Sequence, residues 1–219
     1  MFALFAQHYR DIHRFNFERD LDAKDHVLLL HDEKDLVGFT TIEVEKFVFQ
    51  GRALTVIFSG DTIVDPAYWG EQELARAWLR LVGRLSRQSG DGDFYWFLIV
   101  KGHRTYRYLP AFALDFVPAP SGRNNPDLLA LRDALARHRF AEGYDAGSGI
   151  IHFDEARGSL TQQLAEPSER ELALPEVRFF LEANPGYRGG DELACLCSLS
   201  PENMRPRARR WFEAGRDAP

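Results

Sequence analysis

The stretch T-V-I-F-S-G-D-T-I-V-D-P-A-Y-W-G-E-Q-E-L-A-R-A-W-L-R-L-V-G-R-L, Thr55 to Leu85, decides the fold. Its first part is an apolar run rich in Val and Ile, which predicts a buried strand. Asp65-Pro66 breaks that strand, because the residue before a proline is pushed out of the helical region. Leu74, Trp78, Leu81, Val82 and Leu85 then recur at helical spacing and form one apolar face. The reading is strand, short turn, amphipathic helix, with Gly70 where the helix opens. Such a junction aims backbone N–H groups at an anionic or carbonyl ligand. Ser59, Gly60 and Asp61 lie inside the strand, and a carboxylate among apolar residues is costly to bury unless it is satisfied or used.

Upstream, Phe2, Phe5, Ala6, Tyr9, Ile12 and His13 share one helical face, which predicts a helix over 2–14. N-F-E-R-D-L-D-A-K-D forms a second, short one. Val27 to Leu30 is a strand, D-E-K-D a turn, and Leu36 to Phe49 extended chain with β-favouring Phe39, Thr41, Val44 and Phe47. Q-G-R at 50–52 signals a hairpin. Downstream, S-G-D-G-D at 89–93 is a loop, and F-Y-W-F-L-I-V (94–100) is continuously apolar, as a central strand covered on both faces would be. A helix bent or limited by Pro110 follows, then the linker-like P-A-P-S-G-R-N-N-P. Asp127 to Phe140 is helical with Leu128, Leu131 and Leu135 inward, and I-I-H-F (150–153) is a strand. P-E-V-R-F-F-L-E-A is a short helix stopped by Asn184-Pro185-Gly186. Glu192 to Leu199 is a strand. Ser200 to Phe212 is a terminal helix with Ser200 as its cap and Pro201 in its first position. The class is α/β, a mixed sheet flanked by helices.

The 219 residues fit one large domain or one with an extension, and 45% hydrophobic residues with 17 phenylalanines supply a sizeable core. A net charge of −6 without a long basic run argues against nucleic acid. No apolar run approaches the ~20 residues that span a bilayer, and M-F-A-L-F-A-Q-H-Y-R lacks a basic leader. The expectation is a cytoplasmic protein that engages neither membrane nor nucleic acid. Cys195 and Cys197, two apart, would share one strand face as core thiols. His26, His31 and His152 have no ligand spacing, so no metal site is expected.

Four pieces resemble the GCN5-related N-acetyltransferase superfamily. L-V-G-F-T-T-I (36–42) is similar to its second or third strand, and V-I-F-S-G-D-T-I-V-D-P-A-Y-W-G (56–70) to its fourth strand and the turn into its cofactor helix. F-Y-W-F-L-I-V (94–100) is similar to its fifth strand, and R-T-Y-R-Y-L (104–109) to the helix that often carries a tyrosine. The match spans roughly residues 25–117 and, more loosely, the late strands; the chain begins too late to supply the usual first strand. On this reading residues 1–118 form the core, and 119–219 complete a mostly antiparallel sheet and add helices.

The resemblance implies a wedge between the fourth and fifth strands, where an acyl thioester lies beside an amine acceptor. It assigns Val64, Tyr68, Trp69 and Gly70 to the cofactor, acyl-CoA or an acyl group on a phosphopantetheine arm. It assigns Ser59, Thr62 and Arg104 to the substrate. The family's Gln/Arg-x-x-Gly-x-Gly/Ala loop has Trp69, Gln72 and Leu74 at its three marked positions, and Glu71 and Glu73 stand in the first helical turn. One like-charge contact at ~4 Å and an effective dielectric of ~20 is unfavourable by ~4 kcal/mol. That opposes a pyrophosphate more than the single phosphodiester of an acyl carrier protein's arm.

Asp61 is the candidate base for the amine, since partial burial raises a carboxyl pKa toward usefulness; the structural alternative is a carboxylate accepting backbone N–H bonds in a bulge beside Gly60. Tyr106 or Tyr108 is the candidate acid for the leaving thiolate. Two tyrosines two apart cannot share a helical face, so only one would reach the cleft, and core packing is the alternative for each. His103, just past the strand, would bind or shuttle a proton or stay solvated. Arg205, Arg207, Arg209 and Arg210 would dock an acidic carrier protein or simply remain solvated. The expected function is N-acyl transfer from a thioester to a small amine or amino acid. The alternatives are proton abstraction in an elimination or cyclisation on a small metabolite, and a non-catalytic ligand- or partner-binding subunit.

Overall fold

The computed structural model describes residues 1–90, 92–122, 124–153 and 158–218; Asp91, within the loop expected at 89–93, lies outside the described residues. In chain order the elements are α1 (Phe2–His8), β1 (Tyr9–Arg10), α2 (Arg14–Asp22), β2 (His26–Asp32), β3 (Asp35–Phe49), β4 (Arg52–Val64), α3 (Glu73–Gln88) and β5 (Asp93–Val100). Then come α4 (His103–Tyr106), α5 (Tyr108–Phe112), β6 (Phe116–Val117), α6 (Pro126–Phe140), β7 (Tyr144–Asp145), β8 (Ile150–Ile151) and β9 (Ser159–Leu160). The last are α7 (Gln162–Ala165), α8 (Glu169–Leu172), α9 (Pro175–Ala183), β10 (Glu192–Ser198) and α10 (Pro206–Arg216).

The main sheet runs β2-β3-β4-β5-β10-β8-β7, with β6 also on β10. It is mixed and mostly antiparallel: among the described strands, β4 and β5 are the parallel pair. Helices cover both faces, which is why the central strands read as unbroken apolar runs. Ile57, Trp96 and Cys195 pack with Trp78 and Val82 of α3 and Phe212 of α10. Val56, Phe58 and Phe97 pack with Leu128, Leu131 and Leu135 of α6. Cys195 and Cys197 share the first of these faces as buried free thiols. Burial pushes both thiols far above their ordinary pKa, so they stay protonated.

The β3–β4 hairpin turns on Gln50 and Gly51, both at positive φ (49° and 78°), as a tight two-residue turn requires. The helix expected over 2–14 ends at His8. There Tyr9 and Arg10 turn extended and pair with Leu160 and Ser159, and Thr161 N–H donates to the His8 carbonyl. Long-range pairing overrides the local period. The terminal helix starts at Pro206, not Ser200. Ser200 does cap a turn, but a 3₁₀ turn over Pro201–Asn203, because Arg205 precedes a proline and is held extended.

Candidate active site

The cleft originates in one irregularity of β4. Gly60 pairs with Thr41 and Ile63 with Phe39, so Asp61 and Thr62 face the single residue Thr40. This is a bulge, and Asp61 carries it at φ 36°, a backbone region that Asp tolerates better than most residues. A bulge bends its strand. The parallel β4–β5 ladder accordingly stops at Ser59–Leu98, while β5 stays paired with β10 as far as Val100–Leu193. Past Ser59 the two strands part, leaving a wedge between Gly60–Val64 and the end of β5. A cavity of about 1360 Å³ opens there.

Asp61 lines this cavity. Burial pushes its carboxyl up to about 7; Asp20 and Glu192 push the same way, and Lys24 and Lys101 only partly oppose them. The bulge expected as the structural alternative is thus present, yet it leaves the carboxylate without backbone donors among the described residues. An acid in this state takes and gives up a proton near neutrality.

Ser59 and Thr62 also line the cavity, but both hydroxyls are engaged, Ser59 by the Trp96 indole N–H at 2.9 Å and Thr62 by Thr40 at 2.8 Å. Val64, Tyr68, Trp69 and Gly70 line the cavity as well. There the Trp69 indole donates to the Val64 carbonyl at 2.9 Å and the Tyr68 hydroxyl donates to Asp32. That bond pushes the Tyr68 phenol up to about 12. Gly70 sits at φ 99°, a conformation that favours glycine. Arg104 lines the cleft with its guanidinium committed: it donates to the Leu164 carbonyl at 2.7 Å and to Glu171 at 3.0 Å, and lies 4.3 Å over the Trp69 ring.

Of the two tyrosines, Tyr108 lines the cavity and Tyr106 does not. Tyr106 is fully buried and donates its hydroxyl to the Pro118 carbonyl at 2.7 Å. His103 also lies off the cleft, fully buried with Nε2 3.3 Å from Glu171. Burial and the adjacent Arg104 hold its pKa below the ordinary value. Both expectations are corrected for one reason: the chain turns into α4 directly after the strand and carries these side chains into the core. Burial would raise the Glu171 carboxyl, but the Ser168 N–H and hydroxyl together with Arg104 hold it down at about 2, so it fixes α8 against α4.

Three residues at the site had no motif to mark them. Lys101 and Glu192 are buried and form an ion pair at 3.3 Å. The β5–β10 register sets them opposite each other, one step beyond Val100–Leu193. Tyr9 stacks on Phe5 at 4.3 Å and lies 5.4 Å beneath the Lys101 ammonium. Burial and the nearby Asp61 keep its phenol protonated. A charge capping each end of an apolar run was the available signal for Lys101 and Glu192; Tyr9 had none.

At the mouth, Glu71 and Gln72 line the cavity and Glu73 opens α3, paired with Arg76. Glu71 sets a carboxylate at the mouth, which suits a pyrophosphate poorly, while Arg76 balances the charge of Glu73. Among the described residues no group of three or more His, Cys, Asp or Glu could hold a metal ion, and no helix is long and apolar enough to cross a membrane.

Solved structures resemble the chain at low identity. One is a protein of unknown function from Enterococcus faecalis V583, a probable N-acyltransferase (17% identity, TM-score 0.37, 47% of this chain and 25% of that one). GCN5-related N-acetyltransferases from Anabaena variabilis ATCC 29413 (13%, TM-score 0.30, 87% and 66%) and Kribbella flavida (17%, TM-score 0.33, 94% and 54%) are two more. The chain spans less than two thirds of the length of each. No protein-family model and no curated protein matches it.

Proposed function

We propose that the chain is an N-acyltransferase of the GCN5-related kind, moving an acyl group from a thioester to a small amine. The observation that carries the reading is the wedge itself, open between two parallel strands with Asp61 at the bulge that opens it. Past Ser59 the edge of β4 that faces β5 has no β5 partner, and that edge suits the amides of a pantetheine arm. The donor we favour is an acyl group on a carrier protein's arm, because Glu71 at the mouth opposes the pyrophosphate of free CoA; Arg205 at the start of α10 and Arg210 within it suit an acidic carrier.

The chemistry follows from proton states. An ammonium is no nucleophile, and Asp61, half ionised near neutrality, takes one of its protons. The amine nitrogen then attacks the thioester carbon; the C–N bond forms and the C–S bond breaks. Tyr108, which burial keeps protonated, gives its proton to the leaving thiolate, and the second amine proton replaces it. Holding both reactants in one wedge supplies the proximity.

Purified protein given an S-acyl pantetheine donor and a panel of primary amines tests this. Amide formation that disappears in Asp61→Asn supports the reading. Retained formation in that variant removes Asp61 from the mechanism, and the absence of amide with both carrier-bound and CoA donors removes the activity.

A further inference from the structure

The acceptor side of the wedge has a charge balance that selects among amines. Lys24 and Asp61 lie near each other there, and each buried cation around the chamber already has its acid. The Lys24 ammonium, with a side chain only 2% exposed, contacts Asp20 at 3.3 Å and Glu43 at 3.6 Å. Arg139 contacts Glu43 and Glu45, each at 2.6 Å. Lys101 contacts Glu192 at 3.3 Å and also donates to the Gly158 carbonyl at 2.9 Å. Among the described residues these contacts join four carboxylates to three cations, and Asp61 stands beside them as a fifth acid. Phe58 is held between two of those cations, Lys24 at 5.1 Å and Arg139 at 4.2 Å from its ring centre, so both are fixed in place. At Asp61 each acid outweighs the cation it pairs with, Asp20 over Lys24 and Glu192 over Lys101. Ile12, Phe140, Phe153 and Leu160 give the chamber wall an apolar stretch.

We infer that the acceptor is a primary amine with an apolar body and no carboxylate beside its amino group. This deepens the acyl-transfer reading and rests on the same wedge. A cationic amine gains from the excess of acid and leaves its hydrocarbon against the aromatic wall. An α-amino acid brings a second charge, of the wrong sign, within a few ångströms of Asp61 and Glu192. The buried cations beside Asp61 already hold acids of their own, so the carboxylate is desolvated there against an existing excess of negative charge.

Three probes that share one side chain separate charge from bulk: 2-phenylethylamine, phenylalanine and phenylalanine methyl ester. The first readout is the thermal midpoint of the full chain with each compound and no donor, since a bound ligand stabilises in proportion to its affinity. The second is kcat/KM for each with S-acetyl pantetheine or acetyl-CoA. The amine and the ester raise the midpoint, phenylalanine does not, and kcat/KM for the amine exceeds that for phenylalanine at least about tenfold, equivalent to about 1.4 kcal/mol. Equal or better protection by phenylalanine overturns the inference. So does rejection of the ester together with phenylalanine, which would assign the selection to bulk, or protection by none of the three. Protection by the amine with no turnover from either donor upholds the acceptor class and sinks the acyl-transfer reading instead.

Discussion

Asp61 is held in a state that costs stability, and the cost has a sign that can be measured. Its carboxyl is raised from 3.8 to about 7 in the folded chain. Between those values the folded state keeps a proton that the unfolded chain releases, so stability falls as pH rises from about 4 to 7 and the loss is complete above 7. Asp61→Asn removes the group and keeps the bulge, because Asn tolerates positive φ as well as Asp does. The variant is expected to be more stable than the parent at pH 8, by about 2 kcal/mol once screening through the open cleft is allowed for. It should match the parent near pH 3. Thermal melts at the two pH values decide this, and a variant less stable at pH 8 contradicts the buried-acid account. Asp61 was legible in the sequence because an acid inside an apolar run stands out. Tyr106 and His103 misled because their side of a short helix is set by the path of the chain after β5, which no local pattern records. Lys101 and Glu192 stayed hidden because their pairing depends on strand register.

At the scale of elements, that register yields a second expectation. Glu192→Gln removes one charged partner of the buried Lys101 ammonium and is expected to cost about 2 kcal/mol in urea unfolding. Replacing both residues by apolar ones of similar size should recover most of that loss; an unaltered midpoint in Glu192→Gln would show the pair to be solvated. Helices α3 and α10 cross where glycines meet backbone. A Cβ on Gly83 would lie 2.1 Å from the Phe212 carbonyl oxygen, and one on Gly215 would lie 2.0 Å from that of Arg80. Alanine favours a helix interior over glycine by about 1 kcal/mol, yet Gly83→Ala is expected to destabilise by about 3 kcal/mol by forcing the helices apart. A more stable variant would mean that they do not touch there. Long elements such as α3, α6, β3 and β5 could be read from period and composition. Two-residue strands such as β1, β6 and β9 could not, since only their distant partners make them strands.

For the whole molecule, the sheet draws strands from both halves of the chain, with β10 laid against β5 after more than ninety intervening residues. The order of elements carried the α/β reading; the wedge required coordinates, since a bulge is a mismatch between two strands. Glu71 at the mouth sets an expectation at this scale. Free CoA should shift the thermal midpoint little, and an acyl carrier protein loaded on its arm should shift it more. A large shift with CoA alone would show that Glu71 does not guard the mouth. The most direct measurement is the rate of amide formation from an S-acyl pantetheine donor and a primary amine between pH 5 and pH 9, in the parent and in Asp61→Asn. The account predicts a parent rate that rises through about pH 7 and a variant slower by about a hundredfold or more. A variant that keeps the parent's rate and pH profile would contradict it.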